Sequence, residues 1–432
     1  MKLSKDRILT THVGSLPRSE KVFKLVFAKE DGKNLDKKEY DEVIAEAVKT
    51  VVKKQEEVGI DVVSDGEQSK ISYATYIKDR LNGFEGDSPR LTPKDLEEFP
   101  TFSSRASKSG GVPTYTRPRC TGPVTVKDMK PLEIDLANLR KALDGTSFSE
   151  AFMNAASPGV IALFQPNEYY SDHKRYLYAL ADSMKAEYEG IVKAGFLIQI
   201  DSPDLALGRH VLFKDKSEKK FLSMIQLHIE ALNHALEKIP SEKIRLHVCW
   251  GNYQGPHHCD IEMKKILPTV LKAKPQALSF EGSNPRHSHE WTVFRDIKIP
   301  EEKILIPGVI DSTTNFVEHP ELVSERICRF ADIVGRNRVI ASSDCGFSTF
   351  AGFGTVDADI TYAKLSSMAK GAEIASKNCL IFDLDKIPKI PNEDIPPEII
   401  SFSFKVDLTN IPSINFNKIK KYPLLKNLKN II

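Results

Sequence analysis

LYALADSMKAEYEGIVKAGFLIQIDSP, residues 177–203, sets the reading of the whole chain. Leu177, Leu180, Ala181, Met184, Tyr188 and Ile191 recur at helical spacing and form one apolar stripe on a polar segment. Gly195 stops the stripe, and LIQID follows at once as a short β-branched run that ends on an acid. The order is helix, strand, reactive side chain. It occurs upstream as well, where Tyr40, Val43, Ile44, Ala47, Val48, Val51 and Val52 form a stripe ending at Gly59, before VVSDGE at 62–67.

Extending this reading along the chain gives eight strand candidates: ILTTHVG at 8, VVSDG at 62, RCTGPVT at 119, LIQID at 197, RLHVCW at 245, ALSFEG at 277, ILIPGVI at 304 and VIASSDCG at 339. Helix-length amphipathic segments separate most of them. Alternation of this kind implies parallel pairing with right-handed crossovers, and eight units is the number that closes a (β/α)8 TIM barrel. A doubly wound open sheet is the alternative. Closure is favoured because Asp65, Glu67, Asp201, His247, Cys249, Glu281, Asp311 and Cys345 all fall at C-terminal strand ends. A barrel gathers such residues at one mouth, whereas an open sheet concentrates them at one crevice.

Two regions stand outside the pattern. Residues 85–118, with Pro89, Pro93, Pro100, Pro113 and SRASKSGG, are too long for an ordinary connection and read as a flap inserted before the third strand. GVIALF at 159 is a ninth apolar run, placed in the insertion that follows that strand. The barrel is therefore expected over residues 1–382. Residues 383–432, rich in Ile, Lys, Asn and Pro, are expected to form a C-terminal extension over the surface.

Composition excludes several classes. With 61 Lys plus Arg against 59 Asp plus Glu, a net charge of +2 argues against a nucleic-acid or membrane-surface partner held by bulk charge. No apolar run approaches the ~18–20 residues of a membrane helix. Six cysteines in 432 residues are too few for a disulfide framework, and Met1–Lys5 begins no apolar signal stretch, so the cytoplasm is the expected compartment.

In RLHVCWG, His247 and Cys249 are two residues apart, which on a strand aims both at one point. Cys345 from SSDCGF and Glu281 from SFEG complete an N, S, S, O inventory suited to tetrahedral Zn2+. His257, His258 and Cys259 in GPHHCD, and His287 and His289 in NPRHSHEW, are competing clusters. Neighbouring side chains diverge on an extended segment, so these read as loop histidines facing substrate or solvent. Cys120, Cys328 and Cys379 read as small core residues. Asp65, Glu67 and Asp201 need partners if buried. The partner is either a substrate ammonium or a salt bridge to Arg18 or Lys70. The Gly14–Ser15 turn in HVGSLPR is placed either to offer hydroxyl and N–H groups to a carboxylate or to serve as a plain turn.

Taken together, HVC at 247, the strand-end Glu281, DCG at 344, VGSLP at 13, DGE at 65, IQID at 198 and TGPVT at 121 resemble the catalytic barrel of the cobalamin-independent methionine synthase family, over residues 8–380. The resemblance implies Zn2+ on His247, Cys249, Glu281 and Cys345. It also implies homocysteine binding by Ser15 toward the carboxylate and by Glu67 and Asp201 toward the ammonium. The implied partners are a thiol, homocysteine, and a methyl donor, methyltetrahydrofolate; self-association into a homo-oligomer is left open. The length holds one barrel, like the short core form. The long enzymes carry a His after the seventh-strand Asp, where this chain has Thr313, leaving Asp311, His319 or water to supply the donor's proton. HVCWGNYQGPHH, NPRHSHEW and VIDSTTNFVEHPE also resemble the subgroup that includes epoxyalkane:coenzyme M transferase, which alkylates a different thiol. A decarboxylase of the same superfamily is the third alternative, and a binding barrel with a structural zinc the fourth.

Overall fold

The computed structural model describes residues 1–109, 116–352 and 354–379. The expected extension, residues 383–432, lies outside them. Eight parallel strands carry the architecture: β1 (Leu9–Thr10), β2 (Val62–Val63), β3 (Glu150–Ala156), β4 (Leu197–Asp201), β5 (Ile244–Val248), β6 (Ala277–Phe280), β7 (Ile304–Ile310) and β8 (Ile340–Ser343). They pair in the order β1-β8-β7-β6-β5-β4-β3-β2. The seam between β1 and β2 is closed by Asp61 N–H donating to Thr10 O at 3.1 Å and by Thr11 Oγ1 donating to Val62 O at 2.9 Å. The described residues form a single (β/α)8 barrel.

The helices form where the apolar stripes predict. Lys37–Glu57 buries Ile44, Val48, Val51 and Val52, with Asp36 capping its first turn. His173–Lys193 buries Leu177, Leu180, Met184 and Ile191, with Asp172 capping it. Gly59 and Gly195 leave these helices at φ +83° and +93°, a left-handed backbone that disfavours residues carrying a Cβ. Among the described residues no helix is long and apolar enough to cross a membrane.

The third strand corrects the sequence reading. RCTGPVT is a real strand, Arg119–Val126, but it pairs antiparallel with Leu81–Glu85 outside the barrel. Its burial alternates and half of it is exposed, as a hairpin allows. The barrel position belongs to EAFMNAA, β3, which is buried over its last five residues. That run is rich in Ala and Asn, residues depleted in strands, so its propensity points elsewhere. What holds it is the ladder to β4 over five residue pairs and the Asn154 amide, which donates to Val13 O and Asp201 Oδ2, each at 2.9 Å. GVIALF, the ninth apolar run, is helical. Pro158–Phe164 is a buried helix directly after β3, capped by Ser157.

The insertion still lies before the third strand. The antiparallel pair is its stem, and helices Lys94–Glu97 and Pro100–Ser109 lie between the two strands. Asp95 is fully buried and accepts from Tyr253 Oη at 2.7 Å and from His257 N–H at 2.9 Å, which seats the flap on the loop after β5.

Candidate metal centre

Strand β5 delivers two donors to the mouth of the barrel. His247 lies within it and Cys249 just beyond its end, on the same face by the two-residue period. Cys345 arrives from the segment after β8. The imidazole nitrogen and both sulfurs lie within 4.8 Å of one another, all buried. Cys345 Sγ stands 3.8 Å from His247 Nε2 and 3.7 Å from Glu281 Oε1. Zinc bonds of ~2.0 Å to nitrogen or oxygen and ~2.3 Å to sulfur set tetrahedral ligand edges of roughly 3.5 Å between sulfur and either atom. The donors are already close to that spacing.

Their electrostatics fit a cation. Burial, aided by Arg245, lowers the His247 pKa to about 3, so the ring is neutral and keeps a lone pair. Its Nδ1 is buried without a hydrogen-bond partner. Burial pushes the Cys345 thiol well above its ordinary value, and the neighbouring Cys249 pushes it further. Two buried sulfurs and a neutral imidazole are a donor set that a soft divalent ion completes.

Glu281 is placed differently from the other three. Its Oε1 accepts from Trp250 N–H at 2.7 Å and its Oε2 from Asn284 Nδ2 at 2.6 Å. Both oxygens are therefore satisfied within the protein, although Oε1 also faces Cys345. Asp344, which sequence reasoning passed over beside Cys345, accepts from Gly282 N–H and Ser283 N–H at 2.9 Å and Asn284 N–H at 2.8 Å. It fixes the loop that carries Glu281.

The acids expected to bind substrate share the same cleft, which encloses about 1050 Å³ including its open mouth. Asp201 is paired in register with His247. Burial lifts its pKa to about 6, against hydrogen bonds from Asn154 and Gln199 that lower it. Burial lifts Glu67 to about 7, Lys70 opposing and Asp201 adding to the rise. Glu67 sits at φ +56°, and its Oε2 is buried without a partner. The salt-bridge alternative is not realised among the described residues. Arg18 donates to the carbonyls of Glu67, Lys70 and Ser348, and Lys70 Nζ to Asn154 O at 2.7 Å. Ser15 Oγ accepts from Ser348 N–H at 3.3 Å. Gly346 is required there, since a Cβ would stand 2.0 Å from that hydroxyl.

Asp311 and His319 do not reach the cleft wall. Asp311 Oδ1 accepts from Thr313 N–H and Oγ1, each at 2.9 Å. His319 caps helix Pro320–Val334, accepting from Glu321 N–H at 3.2 Å. The wall instead includes Asn252, which donates to Gly346 O and Thr349 Oγ1 and accepts from Ser312 Oγ at 3.0 Å. Its only sequence signal is its place in HVCWGN, directly beyond the two β5 donors. Tyr73, Phe164 and Phe350 form an aromatic flank with ring centroids 5.6–6.4 Å apart. His257 and His287 are not substrate-facing loop residues. Both pair with Asp260, and His287 stacks on Trp250 at 4.0 Å.

A (β/α)8 barrel with histidine and cysteine donors at its C-terminal mouth defines a class of metal-assisted barrel enzymes. Residues 8–89 and 104–373 match the family described as the catalytic domain of cobalamin-independent synthase, and the chain belongs to that family. It is 25% identical over 366 residues to the methionine synthase of Sulfolobus acidocaldarius, covering 84% of this chain and 91% of that one. To the methionine synthase of Thermococcus kodakarensis it is 24% identical over 375 residues, 85% and 93% of the two chains. Among solved structures, the B12-independent methionine synthase from Shewanella sp. W3-18-1, in complex with selenomethionine, superposes with a TM-score of 0.64 at 20% identity. That match covers 86% of this chain and 98% of the other, and supports the fold.

Proposed function

We propose that the chain transfers a methyl group to the sulfur of homocysteine, giving methionine. Zn2+ would be held by His247, Cys249 and Cys345 with Glu281 as fourth donor, and 5-methyltetrahydrofolate would supply the methyl group. The observation that carries this reading is the meeting, in one cleft, of a buried N, S, S trio with two acids, one of them bearing a partnerless oxygen. A thiol amino acid matches that set. Its sulfur suits the trio, its ammonium the Glu67 and Asp201 pair, and its carboxylate the Ser15 hydroxyl.

When bound, the metal holds a thiol as thiolate, whereas a free thiol with a pKa of about 8.5 is only ~3% ionised at pH 7, a gain of ~2 kcal/mol. The protein's own contribution is larger. Fixing the amino acid at both ends points its sulfur along one line, and such orientation is worth up to ~7–11 kcal/mol. Glu281, whose oxygens already accept from Trp250 and Asn284, is the donor that would give way to a substrate sulfur. The aromatic flank of Tyr73, Phe164 and Phe350 offers a flat apolar face for the donor's ring. Release of the donor's nitrogen needs a proton. Asp311 is assigned to supply it through water, beside the Ser312–Asn252 contact, and His319 to helix capping. Thiols at the centre of the site require a reducing compartment, and we place the protein in the cytoplasm.

The test is turnover with metal counted. Homocysteine and 5-methyltetrahydrofolate should give methionine, and Cys345→Ser should lose the metal of this site together with the product. Turnover of coenzyme M with an epoxide, and none of homocysteine, would move the chain to the epoxyalkane:coenzyme M transferase chemistry.

A further inference from the structure

A second donor set lies outside the cleft. Glu98 follows the first flap helix, and His258 and Cys259 lie on the loop after β5, about 160 residues away in sequence. His258 Nε2 is 2.7 Å from Glu98 Oε2 and 3.6 Å from Cys259 Sγ, and that sulfur is 3.7 Å from Glu98 Oε1. All three donor atoms lie within 4.8 Å of one another.

We propose that Glu98, His258 and Cys259 form a second divalent-metal site, of the zinc class, that pins the flap to the loop after β5. The direction of the imidazole separates this from a nucleophile triad. In a triad the acid holds one ring nitrogen and the thiol faces the other. Here both face the same Nε2, so the three donors converge on a point rather than forming a chain. The two separations from Cys259 Sγ, to His258 Nε2 and to the carboxylate's Oε1, match tetrahedral ligand edges of roughly 3.5 Å, while the imidazole meets the other carboxylate oxygen, Oε2. The third, nitrogen to oxygen, is a hydrogen bond that opens by about half an ångström to reach an edge of ~3.3 Å.

Neighbouring side chains converge here because the backbone is not extended. His257 sits at φ +55° and residues 258 and 259 form a turn, so the divergence expected for a strand does not apply. Phe99 packs edge-on against the His258 ring at 5.4 Å and orients it. The site is half open, with Glu98 and His258 side chains 46% and 39% exposed, so water completes the coordination. Its position gives it a role. The same loop carries Asn252 and Tyr253 into the cleft wall, and the same flap segment carries Arg90, Leu91 and Pro93 over it. An ion bridging the two would hold the flap closed and add to the Asp95 contacts, which hold it without metal.

The full-length protein is equilibrated with Zn2+, dialysed, and its zinc counted per chain. Two equivalents are expected, falling to one in Cys259→Ser and in Glu98→Gln. Both are surface changes that leave the core intact. Cys345→Ser should also fall to one, and the Cys259→Ser, Cys345→Ser double variant to none. With Co2+ in place of Zn2+, Cys259→Ser should lose part of the thiolate charge-transfer absorbance and Cys345→Ser another part. Tryptic cleavage after Lys94 should slow by ~10-fold when Zn2+ is held at ten times its dissociation constant, and should not respond to Zn2+ in Cys259→Ser. One equivalent in the parent that Cys345→Ser removes and Cys259→Ser does not, with cleavage indifferent to Zn2+, overturns the proposal. So does a second equivalent lost on dialysis. One equivalent that only Cys259→Ser removes supports it, and the failure then belongs to the buried centre.

Discussion

The His247, Cys249, Cys345 cluster and the Glu98, His258, Cys259 cluster use nearly the same donor types at nearly the same separations, yet their surroundings differ. The first is sealed, with no residue more than 8% exposed, and its histidine and first cysteine are fixed by a strand laddered on both sides. The second joins a turn to a flap and stands half in water. Without a cation the buried set is left as a neutral imidazole and desolvated thiols. The exposed set rests as an ordinary Glu–His pair. Donor chemistry therefore nominates a metal site, while burial and the stiffness of the supporting elements decide whether it can do chemistry or only fasten.

Predictions that strain this contrast begin with the buried cluster. Cys345→Ser should abolish metal at that site and lower turnover by more than the ~10–100-fold typical of losing an outer partner. Metal analysis beside a rate assay checks it, and a variant with near-normal turnover breaks the contrast outright. Asp344→Ala removes the acceptor for three N–H groups around Glu281 and should weaken metal retention by ~10–100-fold without removing a donor, read by competition with a chelator. Asp201→Asn should raise KM for homocysteine by ~10–100-fold, the worth of one charge-assisted hydrogen bond of about 1.5–3 kcal/mol, with kcat changed less. An unchanged KM removes the case for an amino-acid substrate.

Smaller effects sharpen the comparison at the loop between the clusters. Burial alone would lower His257 and His287, but pairing with Asp260 raises them to about 9 and about 10, with Glu290 adding to His287. Folded values above the unfolded one of ~6.5 mean that their stabilisation is complete below ~6.5 and is lost as pH rises through about 9 to 10. Denaturant midpoints should fall over that window, and the fall should flatten in His287→Gln. A midpoint rising with pH there would show that the Asp260 web does not hold charged rings. The smallest effect is expected for Cys259→Ser at saturating metal, a change in KM of ~2-fold or less, as for a surface substitution.

Much of the site was legible because a strand has a period of two and barrels present their C-terminal ends. His247 and Cys249 in HVC, Asp201 closing LIQID, and Cys345 after VIASSD could be placed at the barrel mouth from position alone. Asp344 and Asn252 were not, because their work is done on partners 60 and 94 residues away in sequence. The third strand failed for a different reason. EAFMNAA lacks the β-branched residues that mark a strand, while the hairpin strand Arg119–Val126 has them, and local propensity cannot tell a barrel ladder from a flap stem.

The sequence by itself determined the alternation of helix and strand, the parallel barrel it implies, and the donors at the strand ends, because these follow from short-range periodicity. Only the tertiary structure decided which run fills the third position, that Glu67 and Asp201 face the cleft without a salt bridge, and that Glu98 meets His258 and Cys259. Those outcomes depend on which distant segments are brought together, and on what burial leaves unpartnered once they are.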